Sequence, residues 1–191
     1  LSDHGRGLPR EKRWCYDAGV HLPLIIYIPP GLQQSLGIAG GYRHGGTSDQ
    51  LIAWVDIAPT ILSLCGLDQR DFERMEGRVF LGQHRDAPRD FCFGGRDRMD
   101  ANFDRTRYCR SQRYHYIRNH FPEIPWMAAQ QYMDQGPSTQ ELRRLRREGT
   151  LAGPPAEFMS ETKPTEEFYD AQADPEMVHN LVDDPAYKDI L

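Results

Sequence analysis

The chain has no long hydrophobic run. Its longest apolar stretch, LPLIIYIPP at residues 22–30, is well short of the roughly 20 residues that cross a bilayer, so no membrane-spanning helix is expected. It has no excess of basic charge either: 23 Lys and Arg stand against 28 Asp and Glu, a net −5, which gives no overall pull toward nucleic acid or an anionic membrane. Its four cysteines, Cys15, Cys65, Cys92 and Cys109, are widely spaced and form no C-x-x-C pair. That spacing argues against a structural zinc site and reads as scattered free thiols, leaving the compartment open, periplasm and exterior included. There is no internal repeat and no low-complexity tract. With 191 residues, 39% hydrophobic and 27% charged, the chain suits one medium domain, or a fragment joined to one small domain.

The stretch richest in chemistry is the first twelve residues, LSDHGRGLPREK. Asp3 and His4 stand side by side and offer two metal-ligating side chains from one loop, while Gly5 lets the backbone turn tightly around an ion. Lys12, a short loop away, can hold an anion bridged to that ion. A lone Asp-His-Gly turn is more often an ordinary polar loop, so the weight rests on the segments C-terminal to it.

Residues 20–28 read as a buried strand of a mostly parallel sheet: an unbroken apolar run of branched residues closed by Pro29, Pro30 and Gly31. Six glycines between 31 and 47 (Gly31, Gly37, Gly40, Gly41, Gly45 and Gly46) make the next segment a loop. Asp56 then reads as the N-cap of a helix with Pro59 in its first turn, Ile61, Leu62, Leu64 and Cys65 as its buried stripe, and Gly66 as its stop. Residues 67–88 read as a connection. Beyond them RDFCFGGRD and TRYCRSQRYHYIRN alternate like strands, the second as a hairpin around Arg110 to Gln112. Ser138 and Glu141 have capping-box spacing and open a helix that ends at Gly149. Its four arginines (Arg143, Arg144, Arg146 and Arg147) read as a solvated face in an acidic chain. Residues 150–165 read as loop, and the tail as a short FYD strand, a turn at Asp174-Pro175 and a last polar turn.

Taken in order, these segments resemble the sulfatase family of the alkaline-phosphatase superfamily. That family has an S-D-[NH]-G loop followed by Lys or Arg, a Y-[DE]-x-G turn, a P-L-I-I strand ending in Pro-Gly, and V-D-x-x-P-T-L-L-x-L-x-G. Asp3, His4, Lys12, Tyr16, Asp17, Pro23, Asp56, Pro59, Thr60 and Gly66 match as they stand. RDRMD, YHYIRN and EEFYDAQADPEMVHNL are similar to the C-terminal part of bacterial sulfatases in the heparan N-sulfatase-like branch.

The resemblance implies an α/β fold. Residues 1–66 would be the end of a large catalytic domain built on a mixed or parallel sheet, 67–88 a connection, and 89–191 a smaller α+β subdomain with a short antiparallel sheet. It implies hydrolysis of a sulfate ester or sulfamate on a sulfated small molecule or glycan, with no nucleic-acid partner. The formylglycine nucleophile would come from an upstream C-x-P-x-R or S-x-P-x-R motif that these residues do not contain, so the chain alone is expected to be inactive. Asp3 and His4 match the metal pair and Lys12 the sulfate-contacting cation. The implied cofactor is a divalent cation, with calcium the family's usual ion, although a histidine ligand departs from all-oxygen calcium sites. Arg98 and Asp100 are candidates for substrate contact, set against an internal ion pair. Cys109-Arg110-Ser111-Gln112-Arg113 imitates the nucleophile motif but lacks its proline and falls after the metal loop. Two other readings compete: a phosphate or phosphonate monoester hydrolase of the same superfamily, and a non-catalytic module that docks a polyanion on the Arg-rich helix or the Gly-rich loop.

Overall fold

A computed structural model describes residues 1–38, 44–67, 71, 73–99 and 101–191, with the side chain of Met99 excepted. Part of the Gly-rich loop (39–43) and Asp100 therefore lie outside the described residues. The chain forms two compact units, Leu1–Leu24 with Phe93–Leu191, and Ile25–Cys92.

The larger unit is built on a four-stranded antiparallel sheet: β1 (Cys92–Met99), β2 (Asn102–Arg110), β3 (Tyr114–Asn119) and β4 (Glu166–Asp170), in that spatial order. The expected hairpin is β2 and β3. Arg110 pairs with His115 and Thr106 with Asn119, and Ser111 Oγ accepts from the Tyr114 amide at 2.9 Å to close the turn. Alternation along β3 buries His115, Ile117 and Asn119 on one face. Against that face pack Trp14, Cys15, Tyr16, Met127, Phe158, Met159, Tyr169 and Met177. Phe168, on the other face of β4, is covered by Tyr114 and Tyr187, which brings the C-terminal turn onto the sheet.

The buried face is unusually polar, and most of its groups are matched, although His115 Nε2 and Arg96 Nε have no hydrogen-bond partner among the described residues. Lys163 Nζ donates to both oxygens of Asp104 at 3.0 Å and to the Ile124 carbonyl at 2.8 Å. Glu167 accepts from Tyr16 Oη at 2.7 Å, Tyr169 Oη at 2.6 Å and Asn119 Nδ2 at 2.6 Å. Inside a low-dielectric core such groups are tolerated only when satisfied. Helix α4 (Pro137–Glu148) begins one residue before Ser138, so Gly136 and not Ser138 is its N-cap and the expected capping box does not form. Pro137 takes the first helical position, where its missing amide is harmless. Gly149 ends the helix at φ 67°, as expected. A five-residue helix α5 (Pro154–Phe158) occupies part of the segment read as loop, because GPP places prolines at its first turn.

The expected strand over 20–28 is absent. Residues 21–28 carry no regular secondary structure, and Ile25 and Tyr27 are 84% and 71% exposed. An apolar run makes a strand only beside neighbouring strands, and the sheet of the described residues is complete without it. A single turn, α2 (Pro30–Gln33), comes next. Helix α3 (Ile57–Leu64) forms where expected and ends before Gly66 at φ 86°. It buries Pro59, Thr60 and Ser63, however, while Ile61 and Cys65 are exposed. Asp56 stands at the N-cap position of α3, as expected, but its side chain makes no cap bond. Its carboxylate, 1% exposed, accepts from the Arg78 amide (2.7 Å), the Ala53 amide (2.8 Å) and Arg89 Nε (2.9 Å). Charge-assisted pairing with a guanidinium outcompetes a cap, and it laces the 77–89 segment onto the helix. Thr60 adds to this by accepting from the Phe80 amide at 3.1 Å.

Candidate functional site

All described candidate residues belong to the larger unit. Asp3 is exposed and His4 half-buried, with Asp3 Oδ2 3.7 Å from His4 Nε2. His4 Nδ1 lies 2.6 Å from the Gly5 carbonyl. A carbonyl only accepts, so Nδ1 carries the donated proton, and Nε2 is the ring nitrogen turned to Asp3, able to ligate an ion through its lone pair. Two ligands at about 2.4 Å from one ion and at right angles stand about 3.4 Å apart, so this spacing suits adjacent positions of one coordination shell. The pair fits a hard or borderline divalent cation. Among the described residues no group of three or more His, Cys, Asp and Glu could hold a metal ion, so Asp3 and His4 would supply only part of a shell.

Lys12 is half-buried, and its amide donates to the Arg6 carbonyl at 3.0 Å, closing the loop of residues 6–12. Its ammonium takes no partner among the described residues. The cations around it are engaged. Arg6 forms a fork on Glu11 (2.8 and 2.6 Å), and Arg10 donates to the carbonyls of Glu176 and Met177 while lying 3.9 Å over the Tyr16 ring.

The loop is held from below by α1 (Asp17–Val20), a single turn. The Gly5 amide donates to the Gly19 carbonyl at 3.3 Å, and a Cβ on Gly5 would stand 2.1 Å from the Ala18 carbonyl oxygen. A Cβ on Gly19 would stand 2.2 Å from the Glu11 carbonyl oxygen and 2.4 Å from that of Trp14. Only glycine allows these backbones to approach so closely. Asp17 anchors the turn: its carboxylate accepts from Arg110 Nε (3.0 Å) and Nη2 (2.9 Å), and His115 Nδ1 lies at 2.9 Å. Burial pushes the Asp17 carboxyl upward, but hydrogen bonds from His115, His21 and Arg110 outweigh it and hold the group well below the usual carboxylate range. The same contact raises His21 above its ordinary value.

Sequence reasoning does not find this anchoring set. Asp17 and His115 are 98 positions apart, and only the Y-[DE]-x-G motif hints at it. The cysteine that imitates a nucleophile is explained by the same contacts. Burial pushes the Cys109 thiol up, Arg110 is turned to Asp17, and Arg113 forms a fork on Asp170 at 2.9 and 2.6 Å. Arg98 is exposed on β1, and no hydrogen bond or ion pair among the described residues ties it to Asp3, His4 or Lys12. On α4, Arg143 pairs with Asp134, Arg144 with Glu141 and Glu148, and Arg146 with Glu161. The helix's basic charge is largely answered by local carboxylates.

No family model matches the chain. Two curated relatives do, each named ulvan-active sulfatase and each from Formosa agariphila. One is 40% identical over 190 residues, which is 99% of this chain and 30% of the relative. The other is 32% identical over 195 residues, 99% of this chain and 34% of the relative. The chain thus spans about a third of the length of the curated relatives it matches. Among solved structures it is similar to a 2-O GAG sulfatase at 17% identity, with a TM-score of 0.40 over 76% of this chain and 24% of that one. Along nearly its whole length the chain is similar in sequence to these two ulvan-active sulfatases.

Proposed function

We propose that these residues form the C-terminal part of a sulfatase of the alkaline-phosphatase superfamily, in the heparan N-sulfatase-like branch. Residues 1–66 would close its catalytic domain, 67–88 connect, and 89–191 form its C-terminal subdomain. The substrate class is a sulfated glycan or a smaller sulfate ester or sulfamate. The observation that carries this reading is 40% identity, over 99% of the chain, to an ulvan-active sulfatase, together with the free ligand atoms of Asp3 and His4 in the segment that matches the sulfatase metal loop.

In this reading each residue of the loop has a distinct task. Asp3 supplies a carboxylate and His4 its Nε2 lone pair to a divalent cation, calcium being the ion the family implies. When bound, that cation supplies positive charge against the sulfate oxygens. Lys12 places its unpaired ammonium where a sulfate oxygen can accept from it, and α1 fixes its distance from the Asp-His pair. The formylglycine nucleophile is expected outside these residues. Arg98 and Asp100 stay candidates for substrate contact, with an internal ion pair as the competing role.

The test is calcium titration of the longer protein. Asp3→Ala should sharply lower calcium affinity and sulfate-ester turnover together, with a smaller loss in His4→Ala, since a carboxylate contributes charge as well as a ligand atom. Calcium affinity equal to wild type in Asp3→Ala would remove the residue from the site.

A further inference from the structure

The Asp3-His4-Gly5 turn and Lys12 come from separate parts of a loop rich in glycine and proline; the Lys12 amide on the Arg6 carbonyl and the Arg6 fork on Glu11 close residues 6–12, but neither bond reaches Asp3 or His4. Both rest on α1. The turn is bonded to it through the Gly19 carbonyl, and the backbone flanking Lys12 closes on Gly19 through the carbonyls of Glu11 and Trp14. Yet α1 is a four-residue turn whose N-cap, Tyr16, makes no side-chain cap bond. One turn does not hold its own shape in water, so its position must be imposed from outside.

The imposing groups come from the sheet and the C-terminal loop. Tyr16 Oη donates to Glu167, and the Asp17 amide donates to Met177 Sδ at 3.2 Å. The Asp17 carboxylate is gripped by Arg110 and by His115. Arg110 differs from the others in being a planar fork on both carboxylate oxygens, with its remaining arm on the Ser111 carbonyl at the hairpin tip. A bidentate contact fixes the direction of a carboxylate as well as its distance.

We propose that Arg110 is a positioning residue for the candidate site, setting the separation of the Asp3-His4 pair from Lys12 through Asp17 and the single turn α1. This rests on the sulfatase reading above, and it adds a residue of the hairpin, about a hundred positions further along the chain, to the machinery of the metal loop.

The experiment uses the full-length protein and measures calcium affinity by titration calorimetry, kcat and KM on a sulfate ester, and thermal unfolding. Arg110→Gln should lower calcium affinity and kcat by roughly tenfold or more, the scale seen when groups that orient metal ligands are removed. Arg110→Lys, which keeps the charge but not the fork, should recover part of the loss. A merely structural arginine would act independently of Lys12, so the decisive readout is the double variant Arg110→Gln/Lys12→Ala. If Arg110 acts by placing Lys12, the double variant should lose little more in kcat/KM than Lys12→Ala alone. If Arg110→Gln does not fold, Asp17→Asn takes its place with the same expectations. Fully additive losses, or unchanged calcium affinity and kcat in Arg110→Gln while Asp3→Ala loses both, would overturn the inference and leave the sulfatase reading standing. Normal activity and calcium affinity in Asp3→Ala and Lys12→Ala would instead overturn the reading on which it rests.

Discussion

Lys12 keeps an unpaired ammonium in a segment whose neighbouring cations are engaged, Arg6 on Glu11 and Arg10 on backbone carbonyls and a tyrosine ring. A charge left unpaired among paired ones is available to a ligand. Truncating one such contact to a sulfate typically removes about 2–4 kcal/mol of transition-state stabilisation. In the longer protein Lys12→Ala should therefore lower kcat/KM by roughly two orders of magnitude with the fold intact, and Lys12→Arg should keep part of the activity. Steady-state kinetics on a sulfate ester would check this, and a normal rate in Lys12→Ala would return the residue to the class of solvated surface lysines. Asp17 makes a different prediction, in pH. Its folded-state pKa lies below the ordinary value, so the stability it contributes is fully present above about pH 4 and is lost as the pH falls through the depressed folded value. Asp17→Asn has nothing there to lose. The variant should be less stable by about 2 kcal/mol near neutrality, and the gap between the two melting curves should close as the pH is lowered below about 4. Asp56 and Asp170 are depressed as well, but they are common to both proteins and cancel in the difference. A gap that stayed constant down to about pH 2 would mean that Asp17 is not ionised in its pair.

At the scale of elements, the contacts that decide local structure are those between segments far apart in sequence. The β2/β3 hairpin is legible because its signals are local: tyrosines alternating on both sides of a short polar turn. Helix α3 is legible in its place and its glycine stop, but not in the face it buries. Asp56 looks like a cap because caps are what aspartate does before an apolar run. It does stand at the N-cap of α3, but its side chain is taken by Arg89, 33 positions later, which no periodicity reports. The strand expected over 20–28 fails for a related reason: the apolar pattern states what the segment can pair with, not whether a neighbour is present. In the candidate site, Asp3, His4 and Lys12 can be named from one motif, while Arg110 and His115 cannot, since their partner lies across the whole unit. The Arg89 contact can be tested directly. Removing one partner of a buried pair leaves an uncompensated charge, and Arg89→Ala should destabilise the smaller unit by about 3 kcal/mol. Denaturant unfolding monitored by the fluorescence of Trp54, near Asp56 in the chain, would measure it. A midpoint equal to wild type would show that the backbone donors of Ala53 and Arg78 suffice to hold the carboxylate.

For the molecule as a whole, the larger unit and the segment after Leu24 face opposite situations. The sheet of the larger unit has most of its buried polar groups paired and its second face partly covered by Tyr114 and Tyr187, so it has the makings of an independently stable body. Residues 25–32 do not: Ile25, Tyr27 and Leu32 are 84%, 71% and 50% exposed along one run that joins no sheet. Exposed apolar residues of high strand propensity outside any sheet recruit another chain. The 191 residues expressed alone should hydrolyse no aryl sulfate and bind calcium weakly, because two ligands are far from the roughly six to eight that calcium seeks. They should also self-associate through this run. Ile25→Lys together with Tyr27→Lys should raise the monomer fraction in size-exclusion chromatography with light scattering. The unfolding of the larger unit should be unchanged, because neither side chain packs in its core. If the double variant associates as strongly as the parent chain at equal concentration, the sticky surface lies elsewhere. The exposed Phe93 and Phe103 of the larger unit's sheet would then be the next pair to replace.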